Sequence, residues 1–294
     1  MISVLIPVKD DPRLDGLLAE LRAQRAALSE ESEVVVVDAS AGRLAWIKER
    51  HPDVRWLDSA PRSPGARPIP HQRNEALAAA RGDVFVFVDS DCAPAPGWLE
   101  AMVRPIRDQG EAMVAGSVRF AGYATVRQPR GRAYVTKAGT QSFALTRDVV
   151  DRVGVYDESL PGAHDYDLCL RAGAAGFRIL FAPEAVVEHP ADPLRKSLDH
   201  AFRYGRDAVR LYARHPRAIR SFGDSHVLYT SFYALYVAGL PLVIRRPVLG
   251  FAIVAPYLVG RPRSVRRQLL NLAHGAGSVV ECLNLVLGSG ENDG

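Results

Sequence analysis

Two short runs, apolar but for one flanking glutamate and each leading into an aspartate, constrain this chain most. Glu33-Val34-Val35-Val36-Val37 leads into Asp38, and Val84-Phe85-Val86-Phe87-Val88 leads into Asp89-Ser90-Asp91. Continuous runs of this length suit strands buried on both faces. A third such run, Ile2-Ser3-Val4-Leu5-Ile6-Pro7, opens the chain. Between the first two strands, Leu14, Leu17, Leu18, Leu21 and Leu28 recur at the spacing of one helical face. A helix over about 41–50, a strand at Val54-Arg55-Trp56-Leu57, a Pro/Gly-rich loop from Pro61 to Pro70 and a helix over about 71–80 then precede the strand at 84–88. Strand alternating with helix predicts the α/β class, with a mostly parallel sheet flanked by helices.

The alternation continues to about residue 194. A helix begins near Pro96-Gly97-Trp98, a strand lies near Ala112-Met113-Val114-Ala115, and a polar Arg/Gly-rich stretch fills 119–137. Helices are expected near 146–153 and from Asp165 to Ala175, followed by the strand Phe177-Arg178-Ile179-Leu180-Phe181. Charge divides at the same place. The net +4 of the whole chain hides +8 over residues 195–294 and −4 over residues 1–194. The expected organisation is therefore an α/β domain over 1–194 and a basic, apolar helical extension over 195–294. With 48% hydrophobic and 24% charged residues the composition excludes disorder and collagen. Three widely spaced cysteines without a C-x-x-C pair exclude a zinc cage and a disulfide framework.

Ligands of open α/β sheets bind beyond the carboxyl ends of the strands, and here those ends are acidic. They carry Asp38-Ala39-Ser40, Asp89-Ser90-Asp91 and, in a later loop, His164-Asp165-Tyr166-Asp167. Aspartate and serine also serve as turn and helix-cap residues, so each alone has a purely structural explanation. Asp89 and Asp91 straddle one residue directly after a strand. Two carboxylates so placed suit a hard divalent cation whose other positions go to water and a diphosphate. His189, after Ala185-Val186-Val187-Glu188, is either a packing residue or an imidazole completing a coordination sphere begun by Asp91. Neither G-x-G-x-x-G nor G-x-x-x-x-G-K-[ST] follows the first strand, which removes the simplest NAD and ATP readings. The G-x-S-x-G elbow of α/β-hydrolases is also missing.

These residues, in this order, resemble the GT-A-fold, family 2 glycosyltransferases. The likeness runs through Ser3-Val4-Leu5-Ile6-Pro7, Val36-Val37-Asp38, Arg73-Asn74-Glu75-Ala76-Leu77, Phe87-Val88-Asp89-Ser90-Asp91 and Pro96-Gly97-Trp98-Leu99. It continues through Val153-Gly154-Val155-Tyr156-Asp157-Glu158, Asp165-Tyr166-Asp167-Leu168 and Pro183-Glu184-Ala185-Val186-Val187-Glu188-His189. The resemblance implies a nucleotide-diphosphate sugar donor, a UDP-sugar being favoured, and a sugar acceptor that it does not identify. It places Pro7, Val8, Asp10 and Asp38 near the base, and Arg73 and Asn74 beside ribose and diphosphate. Asp89, Ser90 and Asp91 would border ribose and sugar, with Mg²⁺ or Mn²⁺ held by Asp89, Asp91 and His189. Asp165 would take the proton of the acceptor hydroxyl, with inversion at the anomeric carbon. The family's usual Glu-Asp is His164-Asp165 in this chain, and Ala39 stands where a second aspartate is usual. Q-x-x-R-W is absent, which favours one sugar per encounter. A catalytically silent nucleotide-sugar-binding or scaffold protein and a sugar nucleotidyltransferase are the competing readings.

The extension is the less informative part. Residues 195–217 place Leu198, Phe202, Ala208, Val209, Leu211 and Tyr212 among arginines, as an amphipathic helix does. Residues 227–244 are uncharged over 18 positions, the lower edge for spanning a bilayer. A shorter apolar run covers 247–260. In a hairpin, Arg245-Arg246 would lie in the outer loop, against the positive-inside tendency. Peripheral membrane contact, a homodimer interface, an acceptor site and a buried helical subdomain all remain open. No nucleic-acid motif is present. The missing signal peptide predicts a cytoplasmic protein, free or at the inner face of the membrane.

Overall fold

The computed structural model describes residues 1–59, 68–121, 128–217, 225–246, 248 and 265–287. Most of the Pro/Gly-rich loop, part of the polar stretch 119–137 and nearly all of the apolar run 247–260 lie outside the described residues. The chain divides into two compact units, Met1–Ala191 and Asp192–Gly294.

In the first unit, β1 (Ile2–Val8), α1 (Leu14–Ala26), β2 (Ser32–Asp38), α2 (Ala45–Arg50), β3 (Arg55–Asp58), α3 (Pro68–Ala79) and β4 (Val84–Phe87) follow one another as the patterning predicts. Then come β5 (Ala93–Pro94), α4 (Trp98–Gln109), β6 (Met113–Phe120), β7 (Ala133–Val135), β8 (Phe143–Thr146), α5 (Arg147–Val153), α6 (His164–Ala174) and β9 (Ile179–His189). The sheet order is β3-β2-β1-β4-β8-β6-β9-β5, and β7 pairs with β9. Both faces are covered, which is why the strands are apolar without alternation. Val4, Ile6, Val34, Val36, Val84 and Val86 pack with Leu14, Leu17 and Leu21 of α1 and Trp98, Leu99 and Met102 of α4. Their sheet neighbours Leu5, Val35, Val37, Phe85 and Phe87 face Ala76 and Leu77 of α3 and Leu168 and Ala172 of α6.

The sheet is mixed where the sequence predicts a mostly parallel one. β3-β2-β1-β4 and β6-β9 are parallel, but β8 runs antiparallel between β4 and β6. Its four residues directly precede α5, so no period marks them as a strand. β9 joins two runs that read as separate in sequence. Its register against β6 slips between Gly116 and Ser117, opposite Ala182 and Val186, so that the segment around Pro183 bulges out of the ladder. Gly116 itself backs onto the Ser142 hydroxyl and the Ala185 carbonyl, leaving no room for a Cβ.

The second unit contains α7 (Leu194–Arg214), α8 (Ser225–Arg245) and α9 (Val265–Val286). α9 packs against both others. The approach is close because it is made at glycines. Gly205 of α7 lies against the His274 carbonyl, while Gly277 and Gly275 of α9 lie against the carbonyls of Phe202 and Tyr233. A side chain at any of the three would collide with backbone.

Candidate active site

The strand order reverses at β1: α1 carries the chain to β2 over one face, whereas β4 returns on the other side through α3. Such a switch point opens a crevice at the carboxyl ends of the strands. The register aligns Val8 with Asp38 and Asp38 with Asp58 at that edge. β4 ends level with Leu5, so Val88 to Asp91 leave the sheet beside the crevice.

Along the β1–β2 side, Asp38 Oδ1 accepts the Ser40 amide at 2.7 Å, a turn that holds the carboxylate at the strand end. Pro7 and Val8 form the neighbouring end of β1, and Val8 is buried. Asp10 adopts a left-handed backbone (φ 58°). Its amide donates to Ser40 Oγ at 2.7 Å, and its exposed carboxylate accepts from Arg43 Nε at 2.6 Å. Gln72, which no sequence pattern singles out, is 1% exposed. Its Nε2 donates to both Val8 O (2.9 Å) and Val37 O (2.7 Å), fastening α3 across the two strand ends.

Arg73 lies at the centre, 3% exposed. Its Nη2 donates to Asp89 Oδ1 at 2.7 Å, its Nη1 contacts His164 Nε2, and its guanidinium lies 5.9 Å from the Tyr156 ring centroid. Arg73 Nε is buried without a hydrogen-bond partner. An unsatisfied buried donor is costly and calls for an explanation, which an anionic ligand would supply. Asn74 is turned elsewhere. Its Oδ1 accepts the Tyr156 amide (3.0 Å), and its Nδ2 donates to Tyr156 O (2.9 Å) and Glu158 Oε1 (3.0 Å). It therefore clamps the 154–158 loop under Arg73, holding in place the aromatic ring that the guanidinium faces.

His164 opens α6, buried, with Nδ1 at 3.0 Å from Pro161 O. A carbonyl can only accept, so Nδ1 carries the proton and Nε2 presents its lone pair to Arg73. Burial, reinforced by the Arg73 charge, pushes this imidazole down to about 3, so it is neutral near pH 7. The departure from the usual glutamate thus leaves an uncharged acceptor on Arg73. Asp165 follows, half-buried, with Oδ1 accepting the Tyr166 amide at 2.9 Å. Burial raises its carboxyl to about 6, against the opposing pull of Arg73. The segment at Gly139 and Gln141 passes beside its Oδ2. Asp167, by contrast, is buried and paired with Arg171 at 2.8 Å.

On the β9 side, Asp91 Oδ1 lies 3.6 Å from His189 Nε2, and Asp91 Oδ2 lies 3.6 Å from Arg13 Nη2. Ligand atoms of Asp91, Cys92 and His189 fall within 4.8 Å of one another. His189 Nδ1 points to Pro190 O at 2.8 Å, which leaves Nε2 free to ligate on the Asp91 side. Burial raises the Asp91 carboxyl above its ordinary range, against the opposing pull of His189. Oxygen and imidazole donors fit a manganese-like ion. The buried Cys92 thiol, pushed far up, stays protonated and fits one poorly. Asp89, expected beside Asp91 as a ligand, gives Oδ1 to Arg73 at 2.7 Å. Ser90, between the two, is buried.

The model described as Glycosyl transferase family 2 matches residues 3–158. Over 235 residues the chain is 30% identical to the pre-mycofactocin glycosyltransferase of Mycobacterium tuberculosis, covering 73% of this chain and 48% of that one. It is 28% identical over 152 residues to glycosyltransferase AglE of Haloferax volcanii, covering 48% and 50%. The chain thus spans about half the length of the curated relatives it matches. Among solved structures, the mannosyltransferase PcManGT of Pyrobaculum calidifontis, in complex with GDP-Man and Mn²⁺, superposes with TM-score 0.63 at 19% identity, over 96% of this chain and 86% of that one. GalNAc-T7 with UDP, GalNAc and Mn²⁺ superposes with TM-score 0.54 at 18% identity, over 66% and 43%. At such identities these neighbours establish the GT-A fold and nothing finer. The family match over residues 3–158, more than half of the chain, makes this chain a member of the family 2 glycosyltransferases.

Proposed function

We propose that this protein moves a single sugar from a nucleotide-diphosphate sugar to an acceptor hydroxyl, inverting the anomeric carbon, with Asp165 as the base. The observation that carries this reading is geometric: Asp165 follows His164 in the first turn of α6, and His164 contacts the buried Arg73 guanidinium that also binds Asp89 at the end of β4, where burial raises the Asp165 carboxyl to about 6. A base with that affinity for protons is ionised at neutral pH yet takes a proton readily from a hydroxyl losing it in the transition state. Arg73 stands on the donor side. Neutral His164 and Asp89 fix its orientation from two sides, and its unpartnered Nε is left for a phosphate oxygen. Among the described residues Asp89 is the one carboxylate hydrogen-bonded to Arg73, and neutral His164 adds no negative charge beside it, which leaves the guanidinium suited to a diphosphate.

Asp38, Pro7, Val8 and Asp10 form the wall expected to take the base, with Asp38 offering an acceptor to a ring N–H. Asn74 acts through the 154–158 loop. A divalent cation, Mg²⁺ or Mn²⁺, held by Asp91 and His189 would neutralise charge on the departing diphosphate. The complexes of PcManGT with GDP-Man and Mn²⁺ and of GalNAc-T7 with UDP and Mn²⁺ support this chemistry by analogy of fold.

The test measures transfer from a panel of nucleotide sugars alongside calorimetric binding of UDP and GDP with Mn²⁺. Asp165→Asn is expected to lower transfer by about 10²–10⁴-fold while keeping nucleotide binding, and Asp91→Asn to weaken both. Binding by the wild type without turnover on any acceptor would favour a silent nucleotide-sugar-binding protein. Transfer that survives both substitutions would remove the mechanism.

A further inference from the structure

The C-terminal unit is built with its polarity reversed. Asn271, His274, Ser278 and Glu281 share the buried face of α9, each at most 5% exposed. They are hydrogen-bonded inside the unit: His274 to Thr230 (3.1 Å), Asn271 to the Tyr233 hydroxyl (2.7 Å), Ser278 to Gly205 O (3.1 Å), and Glu281 to Arg206 and Arg210 (2.8 and 2.6 Å). The opposite face of α9, at positions close to whole numbers of turns apart, carries Leu269, Val280, Leu283 and, just past the helix, Leu287. Leu283 is 53% exposed, Leu287 74%, and Leu235 of α8 67%. A water-exposed bundle places apolar side chains inside and polar ones outside. Polar residues that bond across helices, glycines that bring backbones together and apolar residues that face outward belong to helices solvated by lipid.

From this polarity we infer that the C-terminal unit docks on an anionic lipid leaflet, with the exposed apolar face of α9 and Leu235 of α8 entering the headgroup–acyl boundary. Charge selects this occupant over a second copy of the chain. Arg195 and Arg214 of α7, Lys196, which pairs with Asp192 at 2.7 Å, and Arg217 just beyond the helix are exposed, and residues 195–294 carry +8. Two copies would set these arginines against each other, whereas lipid phosphates neutralise them. The segment Arg266–Val286 is long and apolar enough to cross a membrane. It packs along α7, however, whose exposed Arg195, Lys196 and Asp199 are excluded from hydrocarbon, so the bundle lies in the leaflet surface instead of crossing it. This inference does not depend on the catalytic reading.

The experiment is flotation of the full chain with vesicles of phosphatidylcholine alone or mixed with phosphatidylglycerol. The protein is expected to float with the mixed vesicles. Arg195→Gln and Lys196→Gln should each weaken partition about fivefold at low salt, and Val280→Ser with Leu283→Ser by about tenfold or more at any salt. A second readout needs no loss of binding: a polarity-sensitive dye on Leu283→Cys, in a Cys282→Ser background, should shift to the blue when mixed vesicles are added. Cys92 and Cys169 are buried and would not label. An unmoved dye together with protein left at the bottom of the gradient overturns the inference. So does a dimer in vesicle-free buffer that Leu283→Ser dissociates, since the face would then belong to a second copy.

Discussion

The two units solve the burial problem in opposite ways. In the first, the interior is the apolar content of β1, β2 and β4 with the helices on either side, and the polar chemistry is confined to the carboxyl edge of the sheet. In the second, the described buried residues include as many polar as apolar ones: Asp207, Thr230, Asn271, His274, Ser278 and Glu281 against Ala208, Leu211, Tyr212, Tyr233, Tyr236 and Leu270. The comparison teaches where each unit draws its stability. A water-solvated unit gains chiefly by removing apolar surface from water. The C-terminal unit has satisfied interior hydrogen bonds and close helix contact, and leaves Leu235, Leu283 and Leu287 exposed.

Substitutions can break this contrast, and the largest expected effect is on catalysis. Asp165→Asn should lower transfer by about 10²–10⁴-fold, the usual contribution of a positioned base. The same change should not weaken the fold. A carboxyl raised to about 6 binds its proton more tightly in the native state than in the unfolded one, so native stability falls as pH rises from about 4 to about 6. Removing the charge should therefore stabilise the first unit above pH 6 by on the order of 1–3 kcal/mol, read as a higher melting temperature. Its polar edge would then be held against stability, and its core would not.

Next in size is truncation of that core. Leu5→Ala, at a fully buried position facing α3, should cost about 2–5 kcal/mol in denaturant unfolding. Leu283→Ser, on the exposed apolar face of α9, should change stability in buffer by less than about 0.5 kcal/mol. Similar losses from both would erase the difference between the units. Within the second unit, Asn271→Ala should cost about 1–3 kcal/mol by removing a buried hydrogen bond to the Tyr233 hydroxyl. A smaller effect is expected at His164. His164→Glu would place a second carboxylate next to Asp165 and compete for Arg73, moving the acidic limb of the pH–rate profile upward by about one unit. His164→Gln, which keeps an acceptor for Arg73, should leave that limb in place.

Much of the first unit is legible in sequence because its strands are buried on both faces and acidic residues directly follow two of them. Asp38 and the Asp89-Ser90-Asp91 group can be located that way, whereas Asp165, in the first turn of α6, follows no strand and is singled out by the family resemblance. What lies across the crevice could not. The neutrality of His164 depends on a guanidinium supplied by a different helix, and Gln72 looks like any polar residue of α3 until β1 and β2 end beneath it. Asn74 reads as a ligand contact next to Arg73, whereas its amide is matched to the backbone of Tyr156, 82 residues away. β8 is four residues long and offers no period. In the second unit, residues 227–244 stand out by composition, but α9 does not, since its polar and apolar faces are balanced and only packing decides which is inside.

The central claim is that Asp165 is the base of a transfer reaction at the sheet's switch point. It is tested most directly by the pH dependence of kcat/KM for transfer from a nucleotide sugar with Mn²⁺, wild type against Asp165→Asn. The account predicts that the wild-type rate rises with pH to half its plateau near pH 6, and that the variant's residual rate lacks this limb. A wild-type profile flat down to pH 4.5, or a limb near pH 6 that persists in Asp165→Asn, would contradict it.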